Sequence, residues 1–130
     1  KREPEEEGIL RQAKENGTGF IAFSPLAQGL LTNRYLNGIP DDSRIAKGGF
    51  LKKEALTDEV LKKIKALNEL AIRRGQTLAE MALAWILKDD LVTSVIIGAS
   101  SVGQLADNLK AIDNTAFSAE ELKNIYQIVK

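Results

Sequence analysis

The chain contains no histidine and no cysteine. Histidine is the commonest general acid–base group and the commonest zinc ligand, and cysteine supplies thiolate ligands and disulfides. Catalysis by this chain alone would therefore fall to Asp, Glu, Lys or one of two tyrosines, Tyr35 and Tyr126. The sequence also offers backbone chemistry. The apolar run Phe20-Ile21-Ala22-Phe23 leads into Ser24-Pro25-Leu26-Ala27-Gln28-Gly29, and Val92 to Ile97 leads into Gly98-Ala99-Ser100-Ser101. Small residues after a parallel strand let backbone N–H groups face an anion, and a helix starting there adds partial positive charge. Two such turns at the carboxyl ends of neighbouring strands would make a phosphate cradle. The same glycines also suit plain tight turns, and from residue types alone both readings stand.

The elements that must position these turns follow from periodicity. Pro4 with Glu5, Glu6 and Glu7 opens a helix whose apolar stripe is Ile9, Leu10 and Ala13, with Asn16-Gly17 as its stop. Residues 19–23 are a short apolar run between turn signals and predict a strand. Residues 25–56 lack sustained periodicity, as expected of a long functional or mobile loop. Thr57-Asp58-Glu59 starts a helix that keeps a 3.6-residue period to Arg73-Arg74-Gly75. Thr77 to Glu80 spell a capping box, and the helix beyond is apolar on nearly every side, which predicts deep packing with Trp85 in the core. Val92 to Ile97 predict a second strand and Val102 to Ile112 a helix, and a capping box at Ser118–Glu121 starts the last helix. Lys62-Lys63 and Arg73-Arg74 read as solvated helix faces. The order predicts an α/β fold with about two parallel strands and five helices. Both strands are apolar throughout, so both faces expect cover; two strands alone cannot supply it, and the chain reads as part of something larger.

Lys plus Arg equal Asp plus Glu at 18 each, so no global field draws the 130-residue chain to nucleic acid or an anionic membrane. No apolar stretch reaches the roughly 18 residues that span a bilayer. Residues 1–7 lack the apolar core of a signal peptide, and a cytoplasmic location is expected.

Three stretches, "FSPLAQGLLTNRYLNGIPDDSR", "AEMALAWILKDDLVTSVIIGASSVGQLADNL" and "FSAEELKNI", together resemble the C-terminal part of the aldo-keto reductases. The branch they resemble contains bacterial glyceraldehyde 3-phosphate reductase-like enzymes and voltage-gated potassium channel beta subunits. The resemblance implies the C-terminal portion of a (β/α)8 TIM barrel, with the two turns following barrel strands seven and eight and binding NADP(H). It places Ser24, Pro25, Leu26, Ala27 and Gln28 along the pyrophosphate and nicotinamide side of the dinucleotide. Arg34 stands for the family's usual lysine, and Arg44 for an arginine of the loop over the cofactor. Gly98 and Ser100 would approach the adenosine-side phosphates, and Gln104, Asp107 and Asn108, on one helical face, would meet the adenosine. Three positions depart from the family: Asn33 replaces a glycine, Asp107 is one methylene shorter than the usual glutamate, and Ser101 replaces a cation or asparagine near the ribose 2′-phosphate. The last departure leaves NAD(H) open beside NADP(H).

The family draws its catalytic Asp, Tyr, Lys and His from earlier strands, so the resemblance implies no catalytic residue here. What it implies is the cofactor-binding portion, residues 1–130, of an enzyme that reduces aldehydes or ketones. That portion would be inactive until a complementing N-terminal half is present. The alternatives are a regulatory nucleotide-binding module like the channel beta subunits, or a piece that forms a homo-oligomer through exposed barrel edges.

Overall fold

The computed structural model describes residues 3–41, 48 and 55–130. Two short strands, β1 (Ile21–Phe23) and β2 (Ser94–Ile96), pair in parallel with Ile21 opposite Ser94 and Phe23 opposite Ile96. Both are shorter than the apolar runs that contain them. Beyond β1 and β2 the chains stay joined through Thr93, whose Oγ1 accepts from the Phe20 N–H at 3.0 Å while its own N–H donates to the Phe20 carbonyl at 2.9 Å. A β-carbon on Gly19 would sit 3.1 Å from that same hydroxyl, so glycine is what admits Thr93 there.

The core lies among helices. The helix α3 (Asp58–Arg73) buries Ile64, Leu67, Leu70 and Ala71 on one stripe, the three- and four-residue spacing of an amphipathic helix. Its first turn is held by Thr57, whose hydroxyl accepts from the Val60 N–H at 3.2 Å. The helix α4 (Leu78–Ile86) begins at the expected capping box, Thr77 N–H to Glu80 carboxylate at 2.9 Å and Glu80 N–H to Thr77 hydroxyl at 3.2 Å. Leu78 and Met81 pack with the α3 stripe and with Ile125 of the last helix, α6 (Ala119–Val129). A second capping box, Ser118 with Glu121, starts α6. Trp85 packs against this core from its edge, with Lys88 over its ring.

Two sequence expectations are corrected. The opening helix divides into α1 (Glu3–Glu6) and α2 (Ile9–Glu15), which with α5 (Val102–Leu109) makes six α-helices among the described residues rather than five. Gly8 causes the break: at φ +80° it is left-handed, and its carbonyl accepts from the Gln12 N–H as the first bond of a new helix. The second correction is Arg74, which is no solvated helix charge. Its side chain is only 3% exposed, and its guanidinium donates to Glu121 at 2.7 Å, to Gln76 at 2.9 Å and to the Ala116 carbonyl at 2.9 Å. The Phe117 ring closes over it at 3.7 Å.

The sheet has one covered and one bare face. Ala22 and Val95 are half-buried, while Ile21, Phe23 and Ile96 are 58%, 80% and 61% exposed. Expected cover is thus present on one side only.

Candidate functional site

A cleft of about 500 Å³ opens at the carboxyl ends of β1 and β2, between the turns that follow them. The turn after β1 is conformationally unusual. Ser24, Ala27 and Gln28 all take left-handed backbone angles, at φ 53°, 47° and 59°, and none is glycine. Each such residue costs on the order of 1–3 kcal/mol unless its surroundings hold it, and such clusters gather at ligand sites. The surroundings here are specific. The N–H groups of Ala27 and Gly29 donate to Ser24 and Leu26 carbonyls at 3.0 and 2.9 Å, and Leu31 N–H returns to Leu26 at 3.2 Å. Thr32 ties this turn to the next: its hydroxyl donates to the Gly29 carbonyl at 2.6 Å and accepts from the Arg34 N–H at 3.2 Å. Beneath them lies the wholly buried Tyr35, its ring against Gly29 and its hydroxyl without a hydrogen-bond partner among the described residues. Ala27→Gly should relieve one strained residue and stabilise the fold by about 0.5–1 kcal/mol, after allowing for glycine's freer unfolded state. Thermal unfolding reads the change; an unchanged or lower midpoint would mean that the turn stores no strain at Ala27.

The turn after β2 is built from serines. Ser101 caps α5 by accepting from the Gln104 N–H at 3.1 Å. Ser100 reaches the same residue's side chain: its N–H and its hydroxyl both donate to Gln104 Oε1, at 2.6 and 2.9 Å. Among the described lining residues Arg34 is a cation and none is a carboxylate.

Eight of the residues singled out from the sequence line this cleft: Ser24, Pro25, Leu26 and Gln28 on one wall, Gly98, Ser100 and Gln104 on the other, and Arg34 at the β1 side. Ala27 belongs to the same turn but faces solvent. Asp107 and Asn108 share α5 with Gln104 yet lie outside the lining. Asp107 is exposed and pairs with Lys110 at 2.8 Å, a contact that raises the Lys110 pKa. Asn108 turns into the protein, where its Nδ2 finds no partner among the described residues. Arg44 lies outside the described residues. Sequence reasoning missed Thr32, Tyr35 and the strand-end residues Phe23 and Ile96, which also line the cleft. Nothing in the runs Phe20–Phe23 and Val92–Ile97 marks Phe23 or Ile96 as lining residues, because position at the strand end, not residue type, puts them there. No cluster of metal-ligating side chains forms among the described residues.

The family profile described as the Aldo/keto reductase family matches residues 2–130. The chain is 52% identical over 124 residues to the L-glyceraldehyde 3-phosphate reductase of Escherichia coli K12, covering 92% of this chain and 36% of that protein. It is 43% identical over 101 residues to a probable voltage-gated potassium channel subunit beta of Arabidopsis thaliana, covering 75% of this chain and 31% of that one. Among solved structures, the glycerol dehydrogenase of Gluconobacter oxydans superposes with a TM-score of 0.74 at 25% identity, over 95% of this chain and 38% of its own. A thermostable aldo-keto reductase in complex with the inhibitor epalrestat superposes at 0.64 and 26% identity, over 98% of this chain and 36% of its own. The chain thus spans little more than a third of the relatives' length. Matched along nearly all of its own length, in sequence and in backbone, it belongs to the aldo/keto reductase family and forms a C-terminal portion of the (β/α)8 barrel.

Proposed function

We propose that residues 1–130 are the cofactor-binding portion of a reductase that converts an aldehyde or ketone to an alcohol with NADP(H). The observation that carries this reading is the cleft at the strand ends, walled by a strained turn on one side and a serine-rich turn on the other. Its residues fit a dinucleotide's chemistry. Arg34 is suited to a phosphate by parallel N–H bonds, the Ser24–Gln28 backbone would follow the pyrophosphate, and Ser100 and Gln104 bring neutral donors and acceptors to the facing wall. Bound NADPH supplies the hydride in such chemistry. Residues 100 and 101 are both uncharged, so preference for the 2′-phosphate would rest on Arg34 or Arg44, and NAD(H) is a competing cofactor. Asp107 continues the exposed α5 face beyond the cleft on the side where an adenosine would lie, whereas Asn108 faces the protein interior and would reach the adenosine only after turning outward.

No proton donor is assigned within this chain. The Tyr35 hydroxyl is buried, and Tyr126 on α6 is not among the residues lining the cleft. Catalysis therefore waits on the remaining barrel, and the similarity to L-glyceraldehyde 3-phosphate reductase supports a small aldehyde as substrate. A cytoplasmic location belongs to the same reading: among the described residues no helix is long and apolar enough to cross a membrane, and the balanced charge gives no pull toward nucleic acid.

Calorimetric titration of NADPH and then NADH into the folded chain tests the proposal. Micromolar binding with NADPH the tighter ligand is expected. Absence of binding by a folded chain would remove the cofactor role from this portion alone. The bare sheet face supports a second reading, a piece that self-associates through its open edges. Concentration-dependent molecular mass in solution would favour it, and a monomer at every concentration would end it.

A further inference from the structure

The pair Ser100–Gln104 does more than hold a turn. A glutamine carboxamide is ambivalent, because a half-turn of its end exchanges a two-proton donor for an acceptor. Here that freedom is removed. Oε1 takes the Ser100 N–H at 2.6 Å and the Ser100 hydroxyl at 2.9 Å, and the flipped state would set the amide nitrogen against a backbone N–H that can only donate. The backbone of Gln104 is pinned as well, by the Ser101 hydroxyl at 3.1 Å. Its Nε2 protons have no partner among the described residues, and the side chain lines the cleft.

We propose that Ser100 is a positioning residue that locks Gln104 as an obligatory donor to the cleft, so that the β2 wall selects a hydrogen-bond acceptor on the bound nucleotide. The inference rests on the cofactor reading above. The selected group is a phosphate oxygen or an unprotonated ring nitrogen; an amino group at that place would face two N–H donors.

A double-mutant cycle on dinucleotide affinity tests it. Gln104→Ala should weaken NADPH binding about three- to tenfold, the value of one neutral hydrogen bond. Ser100→Ala should weaken it by a smaller factor in the parent chain and leave it unchanged in the Gln104→Ala background. Ser100→Thr should restore the parent affinity. Gln104→Glu keeps an acceptor for Ser100 but presents no protons to the cleft, and should bind at least as weakly as Gln104→Ala. Inorganic phosphate as competitor separates the two sources of the acceptor: stronger competition in the parent chain than in Gln104→Ala assigns a phosphate oxygen, and equal competition assigns the ring nitrogen. Equal losses for Ser100→Ala in both backgrounds, or none in the parent, would overturn the positioning role. A parent chain that is folded yet binds neither nucleotide would overturn the cofactor reading and this one with it.

Discussion

Arg74→Ala is expected to destabilise the chain by about 3 kcal/mol, on the order of 10 °C in thermal unfolding, the largest effect of any single truncation outside the apolar core. The guanidinium joins three parts of the fold. It sits at the carboxyl end of α3, holds Gln76 ahead of α4, and reaches Glu121 in the first turn of α6 and carbonyls of the segment between α5 and α6. Removing it strands a partly buried carboxylate, the buried Gln76 and the Ala116 carbonyl together, so desolvation already incurred is no longer compensated. Arg74→Lys should recover little, because an ammonium lacks the planar fork that serves several acceptors while stacking on Phe117.

The same contact carries an acid dependence. Burial alone would raise the Glu121 pKa, but the Ser118 N–H and the Arg74 guanidinium outweigh it and hold the carboxyl below its usual range. A depressed native pKa gives stability that is fully present above the unfolded value near 4.5 and is lost as pH falls through the lower native one. Glu121→Gln should flatten that part of the pH–stability profile while costing less at neutral pH than Arg74→Ala. An Arg74→Ala variant as stable as the parent, or a profile that Glu121→Gln leaves unchanged, would show the network to be incidental.

Nothing in the local sequence distinguishes Arg74 from Arg73, and that marks the limit of reading this chain without its fold. Helix starts were legible because their signals are local: Thr57, Thr77 and Ser118 each cap within three residues of themselves. So was the parallel pairing, since helices between the strands forbid a hairpin. Apart from Gln76, the guanidinium's hydrogen-bond partners lie 40 to 47 residues away, beyond any periodicity. Gly8 failed for a different reason: an isolated glycine in a helical pattern is tolerated as often as it breaks one, and only the φ of +80° decides. In the site, the two small-residue turns were visible as composition, but the left-handed angles at Ser24, Ala27 and Gln28 were not. Those residues have no intrinsic preference for that region; the turn is held from beyond it, by the Thr32 hydroxyl on the Gly29 carbonyl and the buried Tyr35 ring against Gly29.

The bare sheet face carries the remaining prediction, and it follows from a barrel of which this chain is little more than a third. Ile21 is 58% exposed and lies outside the cleft lining, with its side chain on the face shared by Phe23 and Ile96. Ile21→Asp should therefore leave the chain's own unfolding midpoint almost unchanged, within about 0.5 kcal/mol, because an exposed site loses little apolar burial. In the completed (β/α)8 barrel that face turns inward, where alternate strand residues fill the interior in layers. A carboxylate there costs several kcal/mol unless it is neutralised, so association with the remaining barrel portion should fail and with it, on the function proposed above, carbonyl-dependent NADPH oxidation. Ile21→Val, which keeps the apolar surface, should reconstitute normally. The two readouts separate two errors. If Ile21→Asp unfolds the isolated chain, the face is already packed in solution and self-association is the reason. If it reconstitutes activity like the parent, the exposed face is not the barrel interior, and the apolar pattern of β1 and β2 answers to some other surface.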